Sequence, residues 1–359
     1  MLESTNIYAG VCSSNYAKLD RSGKIGVFVR AAKDGEWKHA LDSVQAFKIL
    51  VHPDNPEVVL VGTNDGVWRS TDRGVSFKQT DFPNTKKEIW SFLVDKRDPK
   101  RILAGAAPVE VYSSDDMGAS WRKLSTPKTP EHIKSPFATR LMQFAQHPQR
   151  PDEIFAALEI NGVIHSADGG ETWTDRSDHL IKLAQLPHLR DEIFSGNVAE
   201  GMLDAHSIAI NPNHPDDVIV ALRTGLFHTE DQGRTWQNLE VGRFAPTTTY
   251  AHDIQVSSSE PAALYAALSI SATSHEGGLY CSLDRGRTWQ RFDKVQVNGT
   301  IMALTLHAHD PAQAYICGRY DGEVFGTQDG GETWQAMPLP GEIFVTPQAT
   351  VDQPRVVTA

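Results

Sequence analysis

An eight-residue pattern, Ser/Thr-x-Asp-x-Gly-x-Thr/Ser-aromatic, recurs along this 359-residue chain and constrains its fold more than any other feature. The aromatic residues that close the six full copies are Phe77, Trp121, Trp173, Trp236, Trp289 and Trp334. A degenerate seventh copy ends at Trp37, and neighbouring copies are 40 to 63 residues apart. Self-similarity at such a period is typical of folds built from one repeated supersecondary unit.

A second landmark, a turn that ends in proline, keeps the same register as the octamer. These prolines are Pro56, Pro99, Pro151, Pro215, Pro261, Pro311 and Pro354. Between the landmarks, short β-branched or aromatic segments alternate with Gly, Pro, Asn and Asp, which is typical of strands joined by turns. Seven units of four strands predict a single-domain, all-β, seven-bladed propeller. Histidines beside the proline turns, such as His52 and His147, are predicted to be surface residues.

The spacing of the landmarks sets approximate limits for each blade. Blade one is predicted at residues 5–40 plus 341–359, and the others at 41–80, 85–125, 137–178, 200–240, 247–293 and 298–340. The chain opens directly with a segment of the second-strand type, residues 7–11, whereas residues 343–351 resemble a first strand. We therefore predict that the C-terminal strand completes blade one and closes the propeller, which removes an open sheet edge.

The octamer and its frame resemble the Asp-box, or BNR, repeat family. That family includes sialidases and other glycoside hydrolases, sortilin-type ectodomains and a photosystem II assembly factor. The resemblance implies that the Asp box is a structural turn away from any active site; a calcium-binding or catalytic role is the alternative. The residue types fit a turn, because Asp bonds backbone groups two residues on and Gly adopts positive φ.

Composition and charge exclude several classes of function. Lys and Arg number 34 against 45 Asp and Glu, so the net charge is −11 and no basic run is present. This balance disfavours binding to nucleic acid and to anionic membranes. Cys12, Cys281 and Cys317 form neither a disulfide framework nor a C-x-x-C pair. No secretory signal and no apolar run long enough to span a membrane is visible, so we expect a cytoplasmic protein.

Extra chain length marks one face of the predicted propeller. The inter-blade loops at 125–138 and 176–203 are the longest, and blade six has a long turn at 269–278 that contains His275. These segments lie on the face opposite the Asp boxes. The longest one predicts a short helix around Leu180 to Leu186, before Pro187. Long insertions on a rigid scaffold usually carry function, although drift of permissive loops produces the same pattern.

Aligning the first strands on their prolines identifies two rings of residues. Nine residues before each proline stand Phe47, Trp90, Met142, His206, His252 and Met302. Eleven residues before each proline stand Gln45, Glu88, Arg140, Asp204, Tyr250 and Thr300. Both rings begin first strands, so they should surround the mouth of the central channel beneath the long loops. The second ring is polar throughout, and buried charge is costly unless it is paired, which favours a functional site there.

Histidines in two adjacent blades raise the question of a metal site. His206 and His252 occupy equivalent positions, and Asp204 points to the same side of its strand as His206. Glu88 or Asp253 could add a further oxygen. Such a set suits Fe, Mn, Zn or Cu, which would activate water or polarise a carbonyl group. A metal-free acid–base or ligand-binding pair, or two channel histidines among ordered waters, are the open alternatives.

The polar ring also supplies candidate catalytic and substrate-binding residues. The candidate catalytic residues are Tyr250, Glu88 and Arg140, and the candidate substrate-binding residues are Arg319, Arg223, His275 and Trp90. Three arginines, a tyrosine and a glutamate resemble the sialidase site. However, the Arg-Ile-Pro motif of that family is absent, and sialidases have six blades. An anion clamp formed by Arg140 and Arg319 fits the residues better than a sialidase site, and arginines that are simply paired with Glu88 or Asp204 are the interpretation that the sequence favours.

Together these features predict a hydrolase or lyase whose site lies at the channel mouth, with a small polar or anionic substrate. The alternative is a non-enzymatic scaffold, like the assembly factors of the resembling family, that binds a protein partner on the loop face. A deep polar pocket with perturbed pKa values would favour the enzyme, and a flat, partly apolar loop face would favour the scaffold.

Overall fold

Seven four-stranded antiparallel sheets make up the computed structural model, which confirms the predicted seven-bladed propeller. The structure describes residues 5–12, 24–31, 35–257, 263–307 and 310–341, together with the backbone of residues 345–351. The innermost strands of neighbouring sheets contact one another around the channel. In blades two to seven, the innermost strand begins at the loop face and ends at the face of the proline turns and Asp boxes.

Within each blade, the strands follow one another from the channel outward. Blade one contains β28 (Val345–Val351), β1 (Asn6–Cys12), β2 (Gly26–Ala31) and β3 (Lys38–Leu41). Blade two contains β4 (Ala46–Val51), β5 (Val59–Thr63), β6 (Gly66–Ser70) and β7 (Lys78–Gln79). Blade three contains β8 (Glu88–Val94), β9 (Ile102–Ala107), β10 (Val111–Ser114) and β11 (Arg122–Ser125). Blade four contains β12 (Leu141–Gln146), β13 (Ile154–Leu158), β14 (Gly162–Ser166) and β15 (Thr174–Asp175).

The last three blades follow the same order. Blade five contains β16 (Ala205–Asn211), β17 (His214–Leu222), β18 (Gly225–Thr229) and β19 (Gln237–Asn238). Blade six contains β20 (Tyr250–Val256), β21 (Leu264–Ser269), β22 (Gly277–Ser282) and β23 (Gln290–Arg291). Blade seven contains β24 (Ile301–Leu306), β25 (Ala314–Gly318), β26 (Val324–Thr327) and β27 (Gln335–Ala336).

Helices occur mainly in the long loop between blades four and five. They are α1 (Asp178–Leu183), α2 (Glu200–Leu203) and the 3-10 turn Pro187–Leu189, with a second 3-10 turn at Val241–Arg243. The predicted helix was placed about two residues too late, because α1 ends at Leu183 and Leu186 is already extended. The residue before a proline is forced toward the extended region, which explains the earlier end. Among the described residues, no helix has the length and apolar character needed to cross a bilayer.

The Asp box is a turn between the third and fourth strands, as predicted. In blade four, Oδ1 of Asp168 accepts hydrogen bonds from the Ser166 hydroxyl and the Thr172 backbone N–H, both at 2.8 Å. Its Oδ2 accepts from the Thr172 hydroxyl at 2.5 Å. Gly169 and Gly170 lie at φ of 73° and 96°, the left-handed region that glycine tolerates best. The same side-chain hydrogen bonds recur in all six boxes, so each of these carboxylates stabilises its own turn.

Closing aromatic residues pack between blades. Trp236, for example, is 1 % exposed and lies in one apolar cluster with Phe155 of blade four and Phe227 of its own blade. Burying a large apolar side chain contributes roughly 1.5–3 kcal/mol, so the repeated aromatic is a major source of blade-to-blade cohesion.

Two histidines of the proline turns, His52 and His147, are buried, so the prediction that these two are surface residues was wrong. His52 is 2 % and His147 1 % exposed. Nδ1 of His147 accepts the backbone N–H groups of Gln149 and Arg150, at 3.1 and 2.9 Å. The imidazole thus accepts hydrogen bonds from backbone N–H groups inside the turn. The position of a histidine in the sequence does not reveal this role.

Blade one joins the two ends of the chain. β28 pairs antiparallel with β1, where Ile7 is opposite Val351 and Ala9 is opposite Ala349. On the channel side, β28 also contacts the innermost strands β4 and β24 of the neighbouring blades. That this strand closes the propeller stays a prediction, which a truncation before Val345 would test. Residues 352–359 lie outside the described residues.

Candidate functional site

The innermost strands of blades two to seven each contain a β-bulge at the same position. In β16, Ala205 is opposite Leu222 and Ser207 is opposite Ala221, so His206 has no ladder partner. The bulged residues are Phe47, Trp90, Met142, His206, His252 and Met302, which we call the bulge ring. A bulge re-aims the side chain of its extra residue. This explains why the ring found by proline alignment lines the channel.

The bulge ring forms a partition across the channel. Phe47 and Trp90 stack with ring centroids 4.0 Å apart, and both are buried. Met142 and Met302 pack against this aromatic pair from their own blades. On the remaining side, the rings of His206 and His252 stack 5.0 Å apart at an angle of 16°. The polar residues on the loop-face side of this partition form what we call the channel mouth.

A tyrosine, a histidine and an aspartate are in direct contact at the channel mouth. Nε2 of His206 lies 3.3 Å from Oδ1 of Asp204 and 3.2 Å from the Tyr250 hydroxyl. Nδ1 of His206 lies 3.0 Å from the backbone carbonyl of Ala251. All three side chains are buried, at most 7 % exposed. The structure therefore brings together three of the predicted site residues, with the imidazole fixed at both nitrogens.

The two stacked histidines have opposite pKa shifts. Burial acts to lower the pKa of His206, but the charge of Asp204, its hydrogen bonds and Glu159 outweigh burial and raise it. Burial, the charge of His206 and that of Arg319 lower the pKa of His252 well below its usual value. One imidazole of the pair is therefore positioned as the cation and the other as the neutral partner.

A carboxyl group that the sequence analysis did not single out, Glu159, completes the cluster. Oε2 of Glu159 accepts a hydrogen bond from Nη1 of Arg140 at 2.6 Å. Burial raises the pKa of Glu159, and the negative charge of Asp204 acts in the same direction against the opposing charges of Arg140 and His206. The guanidinium of Arg140 also lies over the Trp90 ring, 4.4 Å from its centroid. A carboxyl group whose pKa is raised keeps its proton to a higher pH than an ordinary glutamate does, as a general acid must.

Two further arginines flank Tyr250. Nε of Arg223 binds Oδ2 of Asp191 at 2.7 Å, and its guanidinium carbon lies 5.7 Å from the centroid of the Tyr250 ring. Arg319 contacts the Met302 sulfur at 3.8 Å and, within the described parts of the chain, forms no ion pair. The charges of both arginines act on the Tyr250 hydroxyl, whose pKa burial nonetheless raises well above its usual value. Arg319 is thus the group at the mouth with positive charge available to an anion.

The other predicted residues are less central. Glu88 accepts a hydrogen bond from Nε1 of Trp90 at 3.0 Å, and no contact with Tyr250 is found among the described residues. The carboxylates that act on Tyr250 are those of Asp204 and Glu159. His275 stacks on Tyr320 at 4.7 Å on the exposed rim, outside the cluster. Two of the three arginines are paired, but not with the expected partners, because Arg140 pairs with Glu159 and Arg223 with Asp191.

The predicted metal ligands, His206, His252 and Asp204, share one location. However, no group of three or more His, Cys, Asp or Glu side chains is arranged to hold a metal ion within the part of the chain that the structure describes. His206 already faces Ala251 and Asp204 with its two nitrogens, and stacked rings do not converge their in-plane lone pairs on one ion. Metal binding stays a prediction.

Glu159 could have been found from the sequence by a second alignment. It directly follows β13, as Arg223 follows β17 and Arg319 follows β25. In each case the backbone N–H donates to the carbonyl of the residue eleven before the proline, at 2.9 to 3.0 Å. These positions are therefore equivalent, and aligning the second strands would have identified Glu159. The loop residue Asp191 carries no comparable signal.

Comparison with known proteins gives partial matches. The family model described as "Sortilin, neurotensin receptor 3" matches residues 65–186, which is less than half of the chain. The comparisons support a β-propeller family. An oligoxyloglucan-reducing end-specific xyloglucanase of Emericella nidulans is 23 % identical over 205 residues. That match covers 54 % of this chain and 23 % of the xyloglucanase, so the propeller spans about a quarter of the relative's length.

Solved structures with the same fold include GH74 enzymes and YCF48. The GH74 xyloglucanase from Xanthomonas campestris is 15 % identical with a TM-score of 0.60, over 81 % of this chain and 45 % of that one. YCF48 from Cyanidioschyzon merolae is 14 % identical with a TM-score of 0.54, over 84 % of this chain and 87 % of that one. At these identities the likeness concerns the fold.

Proposed function

We propose that this propeller is a hydrolase that uses acid–base catalysis at the channel mouth on a small polar or anionic substrate. The observation that carries the proposal is that Glu159, whose pKa is raised, lies close enough to Asp204 to feel its charge, while Asp204 lies 3.3 Å from Nε2 of His206. Two carboxyl groups in different environments are what hydrolysis of a glycosidic bond requires: one donates a proton and the other acts as base.

The residues at the channel mouth have distinct roles. The Glu159 carboxylic acid gives its proton to the leaving oxygen while the bond from that oxygen to carbon breaks. The Asp204 carboxylate takes a proton from the attacking water, whose oxygen forms the new bond to the same carbon. His206 and Tyr250 are positioning residues. Nε2 of His206 lies 3.3 Å from Asp204, and the Tyr250 hydroxyl lies 3.2 Å from the same nitrogen and orients the imidazole. Arg319, which has no ion pair in the described structure, would hold an anionic group of the substrate.

A glycosidic bond is the substrate class to test first. The matching curated relatives are xyloglucanases, and their similarity supports a glycoside hydrolase-like propeller. The positive charge available at Arg319 favours sugars that carry a carboxylate. We therefore expect uronic-acid glycosides to be turned over faster than neutral ones.

The test is a panel of 4-nitrophenyl glycosides, including glucuronide and galacturonide, together with xyloglucan oligosaccharides assayed for new reducing ends. Glu159→Gln should lower kcat/KM at least 100-fold, because general acid catalysis contributes roughly 10²–10⁴-fold. The matched control is Glu323→Gln, which changes another partly buried carboxyl with a raised pKa on blade seven and should retain activity. Turnover of no substrate in the panel, or full activity of Glu159→Gln, would contradict the proposal.

The pH profile gives a second readout of the same role. Glu159 must be protonated to act as the acid, so activity should fall as pH rises through its pKa. Because that pKa is raised, the fall should begin above the ordinary glutamate value of 4.5. A profile that rises steadily through neutral pH would assign the acid to another group.

A binding scaffold is the second candidate, and two observations favour it. YCF48 overlaps this chain over most of both lengths, unlike the much longer xyloglucanases. Phe194 and Leu186, on the long loop between blades four and five, are 39 % and 44 % exposed. In a peptide-array assay, binding should be lost in Phe194→Ser/Leu186→Ser and retained in Glu159→Gln. Loss in Glu159→Gln alone would place the peptide at the channel mouth instead.

A further inference from the structure

A second compartment lies in the channel on the other side of the bulge ring. It is a cavity of about 350 Å³ lined by all six ring residues and by residues one to four positions further along the innermost strands. Those strands run from the loop face toward the proline turns, so this cavity extends away from the channel mouth. Its volume is within the range of small-ligand pockets.

The most unusual group in this cavity is the ammonium of Lys48. It reaches from blade two to blade four, where Nζ donates to Oε1 of Gln143 at 2.8 Å. These blades are not neighbours, so the side chain crosses the bore of the channel. An ammonium has three N–H donors, and Gln143 is its one hydrogen-bond partner within the described residues. Burial lowers the pKa of Lys48.

The nearest carboxylate in the cavity does not neutralise Lys48 by direct contact. Oδ1 of Asp253 accepts from the Ser207 hydroxyl at 2.8 Å and from the Gln255 amide at 3.2 Å. Its Oδ2 accepts the backbone N–H of Leu304 at 2.9 Å. Asp253 is therefore used in joining blades five, six and seven, and acts on Lys48 only through its charge. Among the described residues, two N–H donors of this half-buried cation have no acceptor and are available to a ligand.

We propose that this cavity binds a small organic carboxylate, whose anionic group meets Lys48 and whose apolar part lies against Leu50, Phe92 and Leu306. A carboxylate offers the two acceptors that the ammonium lacks, and a charge-assisted hydrogen bond in a poorly hydrated site is strong. The apolar residues on the cavity wall favour a hydrocarbon body. This site goes beyond the proposed function, because the bulge ring separates it from Glu159 and Asp204.

The test compares each carboxylate with its uncharged amide. Acetate, hexanoate, benzoate and succinate, and the corresponding amides, are titrated into the protein by calorimetry at constant ionic strength, with thermal unfolding as a second readout. At least one carboxylate should bind tenfold or more tightly than its amide, and Tm should rise with the logarithm of its concentration once that concentration exceeds Kd. Binding of every carboxylate at the level of its amide would overturn the proposal.

Three variants locate the site. Lys48→Met should abolish the preference for the carboxylate, at least a tenfold loss, and should fold because it removes a buried charge. Lys48→Arg should retain the preference, and Glu159→Gln should bind as the wild type does. A preference that survives in Lys48→Met, or that disappears in Glu159→Gln, would overturn the assignment. Enzyme activity plays no part in this experiment, so its failure and that of the proposed function are distinguishable.

Discussion

The Asp boxes and the channel mouth are both built from equivalent positions of the same repeat. The residue types at the Asp boxes are nearly the same in every blade, whereas those at the channel mouth differ from blade to blade. Each full Asp box places the same side chains in the same hydrogen bonds, as Asp168 and Asp231 illustrate. At the channel mouth, the position eleven residues before the proline is Arg140 in blade four, Asp204 in blade five and Tyr250 in blade six. Equivalent residues at the Asp boxes stabilise the same backbone turn in each blade, whereas different residues at the channel mouth form one asymmetric site.

This contrast predicts that stability and function are separable in the molecule. Changes in the repeated framework should lower stability by similar amounts wherever they are made. Changes at the mouth should alter chemistry with a much smaller effect on folding. The expected effects on stability therefore decrease from the loss of a whole strand to the replacement of one arginine at the mouth.

Removing the strand that joins the chain ends should have the largest effect. A variant that ends at Gly341 lacks β28, so the inner edge of β1 loses its partner and the ring of innermost strands is open. We expect Tm to fall by roughly 10 °C or more, since each kcal/mol shifts Tm by about 2–4 °C in a domain of 150–250 residues. The control ends at Val351 and keeps β28. Unfolding of the shorter variant at the wild-type temperature would show that β28 does not close the propeller.

A single Asp box should contribute a moderate and repeatable amount. Asp168→Ala removes the acceptor of three hydrogen bonds, from Ser166 and Thr172. We expect the free energy of unfolding in urea to fall by about 1–2 kcal/mol, and by a similar amount for Asp231→Ala. Asp168→Asn, which keeps one acceptor oxygen, should lose less. Clearly unequal losses at the two boxes would mean that they are not interchangeable parts of the framework.

Acid should weaken the framework of blade four through a buried histidine. Burial and the charge of Arg176 lower the pKa of His165 to about 4, so it is neutral in the folded protein. The unfolded chain takes up this proton near pH 6.5, so stability is full above that pH and is lost as pH falls toward 4. We expect Tm to fall by a few degrees over this window, and by less in His165→Leu. Asp-box carboxylates, whose pKa values are lowered, contribute only at lower pH.

Replacing the unpaired arginine of the mouth should have the smallest effect on stability. Arg319 contacts the Met302 sulfur and lies 5.9 Å from the centroid of the Tyr320 ring, without an ion pair in the described structure. Arg319→Gln should change the free energy of unfolding by less than about 0.5 kcal/mol. A loss as large as that of Asp168→Ala would show that Arg319 belongs to the framework.

Repetition explains which parts of the structure the sequence predicts. The octamer and the prolines recur, so they determine blade number, strand order and the two channel rings by alignment. The β-bulge at His206 and its equivalents leaves no sequence signal, because it depends on the pairing of two strands. Glu159 was overlooked although its alignment with Arg223 was available. Asp191 could not be found, since it lies in a loop that occurs once and whose path depends on tertiary contacts.

The most direct test of the channel mouth is the titration of His206 by ¹⁵N NMR, in the wild type and in Asp204→Asn. We predict that His206 in the wild type titrates above pH 6.5 while His252 stays neutral, because Asp204 and Glu159 stabilise the imidazolium of His206 alone. In Asp204→Asn the pKa of His206 should fall, since burial then dominates. Equal titration of both histidines, or a His206 pKa unchanged by the substitution, would contradict a coupled acid–base site at the mouth of this propeller.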